Sequence, residues 1–105
     1  MTTIEINKLI NDITNANNAA SMYDEVEDGG SCNFDSPIIN IKLTRKEKEA
    51  LKDFLIPVGL KGYKDWYFVM IVIWGQGNRR TAMAEAAAKY MKDAGYNASV
   101  YYEMD

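Results

Sequence analysis

The sequence predicts a single α+β domain, or a small α/β one, with elements in the order α-β-α-β-α-β. Three observations lead there. Stretches of helical periodicity alternate with stretches of strand character. The run WYFVMIVIW, residues 66–74, is apolar at every position and rich in β-branched and aromatic residues. A length of 105 residues, 48% of them apolar, supplies one hydrophobic core and leaves no room for a second domain.

The first helix is expected over about residues 3–20, where Ile6, Leu9, Ile10, Ile13 and Ala16 recur at helical spacing. Thr2 and Glu5 have the separation of a capping box before it. Asparagines at 11, 15, 17 and 18 weaken its later turns, because Asn competes for backbone hydrogen bonds. Residues 23–37, which combine a cluster of acids with Gly29, Gly30 and Pro37 and show no periodicity, read as an exposed acidic loop.

PIINIKL alternates apolar and polar residues and predicts a short strand with Ile39, Ile41 and Leu43 on its inner face. Thr44 and Glu47 form a second capping box, opening a helix of about twelve residues with Ala50, Leu51, Phe54 and Leu55 on one face. Continuous apolarity over 66–74 predicts a central strand buried on both faces and covered by helices on each side. Alternation puts Tyr67, Val69, Ile71 and Ile73 on one face and Trp66, Phe68, Met70, Val72 and Trp74 on the other. A third helix, about 78–94, turns Met83, Ala87, Tyr90 and Met91 inward, and Gly95 stands where a left-handed cap belongs. NASVYYEM closes the chain as a third strand with Ala98, Val100, Tyr102 and Met104 inward. Residues 66–104 have the length of a strand-helix-strand crossover between parallel strands.

Composition narrows the chemistry. The chain has no histidine and one cysteine, Cys32. That removes Ser-His and Cys-His nucleophilic pairs and nearly every zinc constellation. Acids around Cys32 disfavour its thiolate. The acidic segment does not fit a calcium loop: counted from Asp24, position three is Val26, and counted from Glu25, position twelve is Ser36. No catalytic residue, metal site or cofactor is expected. No apolar run reaches the eighteen or so residues of a membrane span, and MTTIEINKLI lacks the features of a secretory signal. A cytoplasmic protein without membrane contact is therefore expected.

Charge is unevenly spread. Residues 1–41 carry one lysine against seven acids, and residues 42–92 carry eleven bases against five acids. An acidic surface for a basic partner follows as one reading, with Asp24, Glu25, Glu27 and Asp28 as contacts. Aromatics exceed what one small core requires, which adds Tyr63 and Tyr101 to the expected partner-binding surface, for another protein or a second copy of the chain.

GQGNRRT, between the apolar strand and the third helix, brings two glycines, a helix start and two arginines together. Two arginines at a helix start oppose its dipole and call for an anion. Gly75, Gly77, Asn78, Arg79 and Arg80 are accordingly the expected anion site, for a phosphorylated small molecule or nucleotide, a nucleic-acid backbone or the chain's own acidic loop. The segment is neither a Walker loop nor a complete dinucleotide fingerprint.

The first functional expectation is a non-enzymatic binding protein that occupies a macromolecular partner as an inhibitor or regulator. The second is the small-ligand binder just described, and the third a nucleic-acid-binding module using the basic middle segment. Brevity and the Asn, Lys, Ile and Tyr usage are similar in composition to small proteins of phages and mobile elements.

Overall fold

A computed structural model of the chain describes residues 2–21, 35–70 and 78–102, with side chains of the last segment from 81 onward. Helix α1 (Thr3–Ser21) starts at its capping box. The Thr2 N–H donates to Glu5 Oε1 at 3.2 Å and the Glu5 N–H to Thr2 Oγ1 at 3.1 Å, satisfying two donors that a helix start leaves over. Leu9, Ile13, Ala16 and Ala20 form its buried stripe, joined by one acid, Asp12.

Strand β1 (Ser36–Asn40) includes Ser36 and Pro37, which the sequence assigned to the acidic loop. Helix α2 (Arg45–Ala50) has the predicted reciprocal cap: the Thr44 N–H donates to Glu47 Oε1 at 2.8 Å and the Glu47 N–H to Thr44 Oγ1 at 3.2 Å. The helix is half its expected length. Pro57 disfavours helical backbone at Ile56, and Leu55–Pro57 instead forms β2, a strand absent from the expected order. The sheet has four strands, not three.

Strand β3 (Trp66–Val69) lies between β2 and β1. Helix α3 (Asn78–Asp93) precedes β4 (Asn97–Tyr101). At its end the Gly95 N–H donates to the Lys92 carbonyl and the Tyr96 N–H to the Met91 carbonyl, both at 3.0 Å, with Gly95 at φ 104°. This pair of bonds is the Schellman arrangement, and it confirms the predicted glycine cap.

The sheet order is β2-β3-β1-β4, with every neighbouring pair antiparallel. Strands β3 and β4 both run against β1, so they are parallel to each other with β1 between them. The connection through α3 therefore crosses over one strand. From β1 onward the element succession β-α-β-β-α-β and the strand order are those of a split βαβ sheet, but the helix that packs beside α3 is α1. Topology of this kind hosts unrelated functions and assigns none.

One core joins the helices to one face of the sheet. Leu9, Ile13, Met83, Ala87 and Met91 meet Ile39, Leu55, Tyr67, Val69 and Ala98 in a single buried cluster. The small residues along α1 and α3 let the two helices pack closely side by side. The expectation that β3 is buried on both faces does not hold for its described residues. Tyr67 and Val69 are buried, whereas Trp66 and Phe68 are half-buried and Met70 is 44% exposed. An apolar run on a strand specifies low polarity, and aromatic side chains can meet that on a partly solvated face. Tyr102, expected inside, is 62% exposed, because β4 ends at Tyr101. Residues 71–74 and Met104 lie outside the described residues.

Candidate functional site

The sheet face opposite the helix layer gathers Trp66, Phe68 and Tyr101. Cross-strand register places Ile56, Phe68, Ile38 and Ser99 in one row across all four strands, and Trp66, Asn40 and Asn97 in the next. Directly opposed residues share a face, so these rows, with Tyr101 two positions on from Ser99, form one surface.

Tyr63 joins them from the connection between β2 and β3. That connection turns sharply: Gly59 and Gly62 have φ of 73° and 89°, and Asp65 takes φ 63°, a value Asp tolerates better than most residues. The Ile41 N–H donates to the Asp65 carbonyl at 2.9 Å, and Asn40 Nδ2 to the Lys64 carbonyl at 3.3 Å, pinning the connection against β1. The Tyr63 ring meets the Tyr101 ring edge to face, with centroids 5.5 Å apart, and Tyr101 meets Phe68 in the same manner at 5.8 Å. Such geometry sets the positive ring edge against the negative ring face. Ile38, in the middle of this surface, is buried although the helices lie on the other side. Ile56 and Met70 beside it are each 44% exposed.

Of the residues expected to bind a partner, Tyr63 and Tyr101 are thus brought together, from positions far apart in sequence. Asp24, Glu25, Glu27 and Asp28 lie outside the described residues, as does Cys32. Gly75 and Gly77 do so as well. Asn78, Arg79 and Arg80 open α3, with side chains outside the description. The next turn of that helix holds a carboxylate from the chain itself. Thr81 Oγ1 donates to Asp35 Oδ2 at 2.7 Å, and Asp35 is only 2% exposed.

A second constellation escaped the sequence reading. Asp12 Oδ2 accepts from Lys8 Nζ and from the Tyr96 hydroxyl, each at 2.7 Å. Lys8 Nζ also stands 5.2 Å from the centre of the Tyr96 ring. Beside them is a cleft of about 170 Å³ lined by Glu5, Lys8, Leu9, Ile41 and Tyr96. Burial, reinforced by the bond to Asp12, pushes the Tyr96 hydroxyl up to about 12. The hydrogen bond to Asp12 raises Lys8 above its ordinary value. Both groups therefore keep their protons at neutral pH, and the trio acts as a clamp between α1 and the residue following the α3 cap. Only the Lys8-Asp12 spacing of four is visible in sequence.

Among the described residues no three potential metal ligands converge, and no helix is long and apolar enough to cross a membrane. No family model, curated protein or solved structure matches this chain.

Proposed function

We propose that the protein is a non-enzymatic binding protein that occupies a protein partner through the aromatic face of its sheet, as an inhibitor or regulator. One observation carries this reading: Ile56 and Met70 stand exposed beside the half-buried Tyr63, Phe68 and Tyr101 rings, on the face that the helices leave free. Aromatic residues and methionine are enriched at protein interfaces, where rigid rings supply contact area at low entropic cost. Base stacking would need ring faces lying open in succession. Here Tyr101 is engaged edge to face on two neighbours, and the chain carries a net charge of -3. A protein partner fits better.

The test is affinity capture from an extract of the source cells with three baits: the native chain, Ile56→Asp, and Asn11→Asp at an exposed position of α1 as a control. A protein retained by the native and control baits and lost with Ile56→Asp is the expected result. Hydrogen exchange in the complex should then slow over residues 56–70 and at Tyr101. Salt-sensitive retention of single-stranded nucleic acid would reassign the face to base stacking, and a complex indifferent to Ile56→Asp would overturn the reading.

A further inference from the structure

Strand β4 is an outer strand of the sheet, so alternate N–H and C=O groups along Asn97–Tyr101 point away from β1, with no strand beyond them among the described residues. Exposed edges are templates for further pairing, and proteins commonly guard them with proline, charge or brevity. The opposite edge, β2, has only three residues and ends in Pro57. The β4 sequence NASVY contains no proline, glycine or charge.

Helix α3 forms a ledge along this edge. Its core stripe runs through Met83, Ala84, Ala87 and Met91. A neighbouring stripe of Glu85, Ala88, Lys89 and Lys92, at the spacing of one helix face, lines a groove of about 230 Å³ with Ser99, Val100 and Tyr102. The groove is polarised. The chain leaves α3 at Asp93 and returns along β4, so Lys92 lies towards the Asn97 end and Glu85 towards Tyr102, whose hydroxyl donates to it at 3.1 Å. Lys89 is engaged, pairing with Asp93 at 2.9 Å, and Lys92 is the lysine of this stripe nearest the Asn97 end.

We infer that the β4 edge and this groove form a peptide-binding site, in which an extended segment of another protein adds antiparallel to β4 with acidic side chains towards its C-terminal end. Main-chain bonds to the β4 edge supply the affinity, and the groove selects alternate side chains. Charge fixes the direction. An antiparallel segment begins beside Tyr102 and Glu85 and ends beside Asn97 and Lys92, so its carboxylates reach the Lys92 ammonium group; a parallel segment with the same sequence would set them against Glu85. The five residues of β4, at about 3.4 Å each, limit the paired part to a similar length. This site meets the aromatic face at Ser99 and Tyr101, and Ile56→Asp, which lies on the far edge of the sheet from β4, distinguishes the two sites.

The test is selection from a displayed library of short random peptides on the intact protein, followed by titration of a synthetic copy of the enriched sequence. Enriched peptides should carry Asp or Glu towards their C-terminal end, and binding should shift the amide resonances of residues 97–102. The variant Lys92→Glu, at an exposed helix position, should weaken binding about tenfold or more. The same peptide with alternate backbone nitrogens methylated should not bind, because it cannot donate to the strand. An unenriched library, enriched sequences without acidic bias, undiminished binding of the methylated peptide, or shifts confined to Ile56, Phe68 and their neighbours would each overturn the proposal.

Discussion

The Tyr96 hydroxyl donates to Asp12 Oδ2 at 2.7 Å across 84 positions of sequence, tying the first helix to the residue that follows the Gly95 cap of the last one. Asp12 is buried, and Lys8 supplies its second partner at the same distance. Asp12→Ala deletes both bonds and leaves a half-buried hydroxyl without its acceptor, a change worth ~2 kcal/mol of stability. Tyr96→Phe removes one bond and leaves Lys8 in place, for a loss of ~1 kcal/mol. Urea denaturation of the two variants checks the ranking, and equal stabilities would mean that the clamp does not bind α1 to the domain.

The same clamp sets the alkaline behaviour. A hydroxyl whose ionisation moves from about 10 in the unfolded chain up to about 12 in the folded one contributes stability that is complete below pH ~10. That contribution disappears as the pH rises to about 12. Lys8, also raised, acts in the same direction. Stability of the native protein should therefore fall over this range, and Tyr96→Phe should show a shallower fall. Tyrosinate absorbance should lose its latest-titrating component in that variant.

At the opposite end of the pH scale, Glu5 is held below its ordinary value, first by the Thr2 backbone N–H and then by the Thr2 hydroxyl. A depressed carboxyl contributes stability above its unfolded pKa and loses it as the pH falls through the folded one. Helicity measured by circular dichroism should decline on acidification below pH ~4.5, and Glu5→Gln should flatten the part of that decline due to α1.

Gly95 takes φ 104° with open space where a Cβ would stand, so substitution there meets backbone strain without a clash. Gly95→Ala should cost ~1–2 kcal/mol, and Gly95→Asn less, because Asn tolerates positive φ. Thermal or urea unfolding distinguishes the two, and equal costs would remove backbone conformation as the cause.

Features set by neighbours in sequence were legible: both capping boxes, the buried stripes of α1 and α3, and the Gly95 cap all depend on spacings of a few residues. The β2 strand was not. Leu51, Phe54 and Leu55 have helical spacing, and the decision between helix and strand is made by pairing with β3, where the Met70 N–H donates to the Phe54 carbonyl at 2.9 Å. The two-sided burial assigned to 66–74 failed at Phe68 and Met70 for a related reason. Polarity alone does not distinguish a ring covered by a helix from a ring covered by other rings. Tyr63 and Tyr101 were legible as surplus aromatics, but their contact depends on register across β1 and on the turn at Gly62 and Asp65. The Asp12-Tyr96 bond has no local signature at all.

Tyr101 separates structural from binding roles on the aromatic face. It meets both Tyr63 and Phe68 edge to face, and such pairs contribute ~0.5–1.5 kcal/mol each beyond the area they bury. Tyr101→Ala removes both ring contacts and the apolar area they cover, which predicts a loss of ~2–3 kcal/mol. Tyr101→Phe keeps the rings and should cost under ~0.5 kcal/mol. A double-mutant cycle between Tyr101→Ala and Tyr63→Ala should return a coupling near ~1 kcal/mol, since the two residues are in contact. If Tyr101→Ala instead leaves stability unchanged, the rings contribute nothing to the isolated domain. Their arrangement would then be explained only by what binds them, and the same variant would be the cleanest probe of the proposed interface.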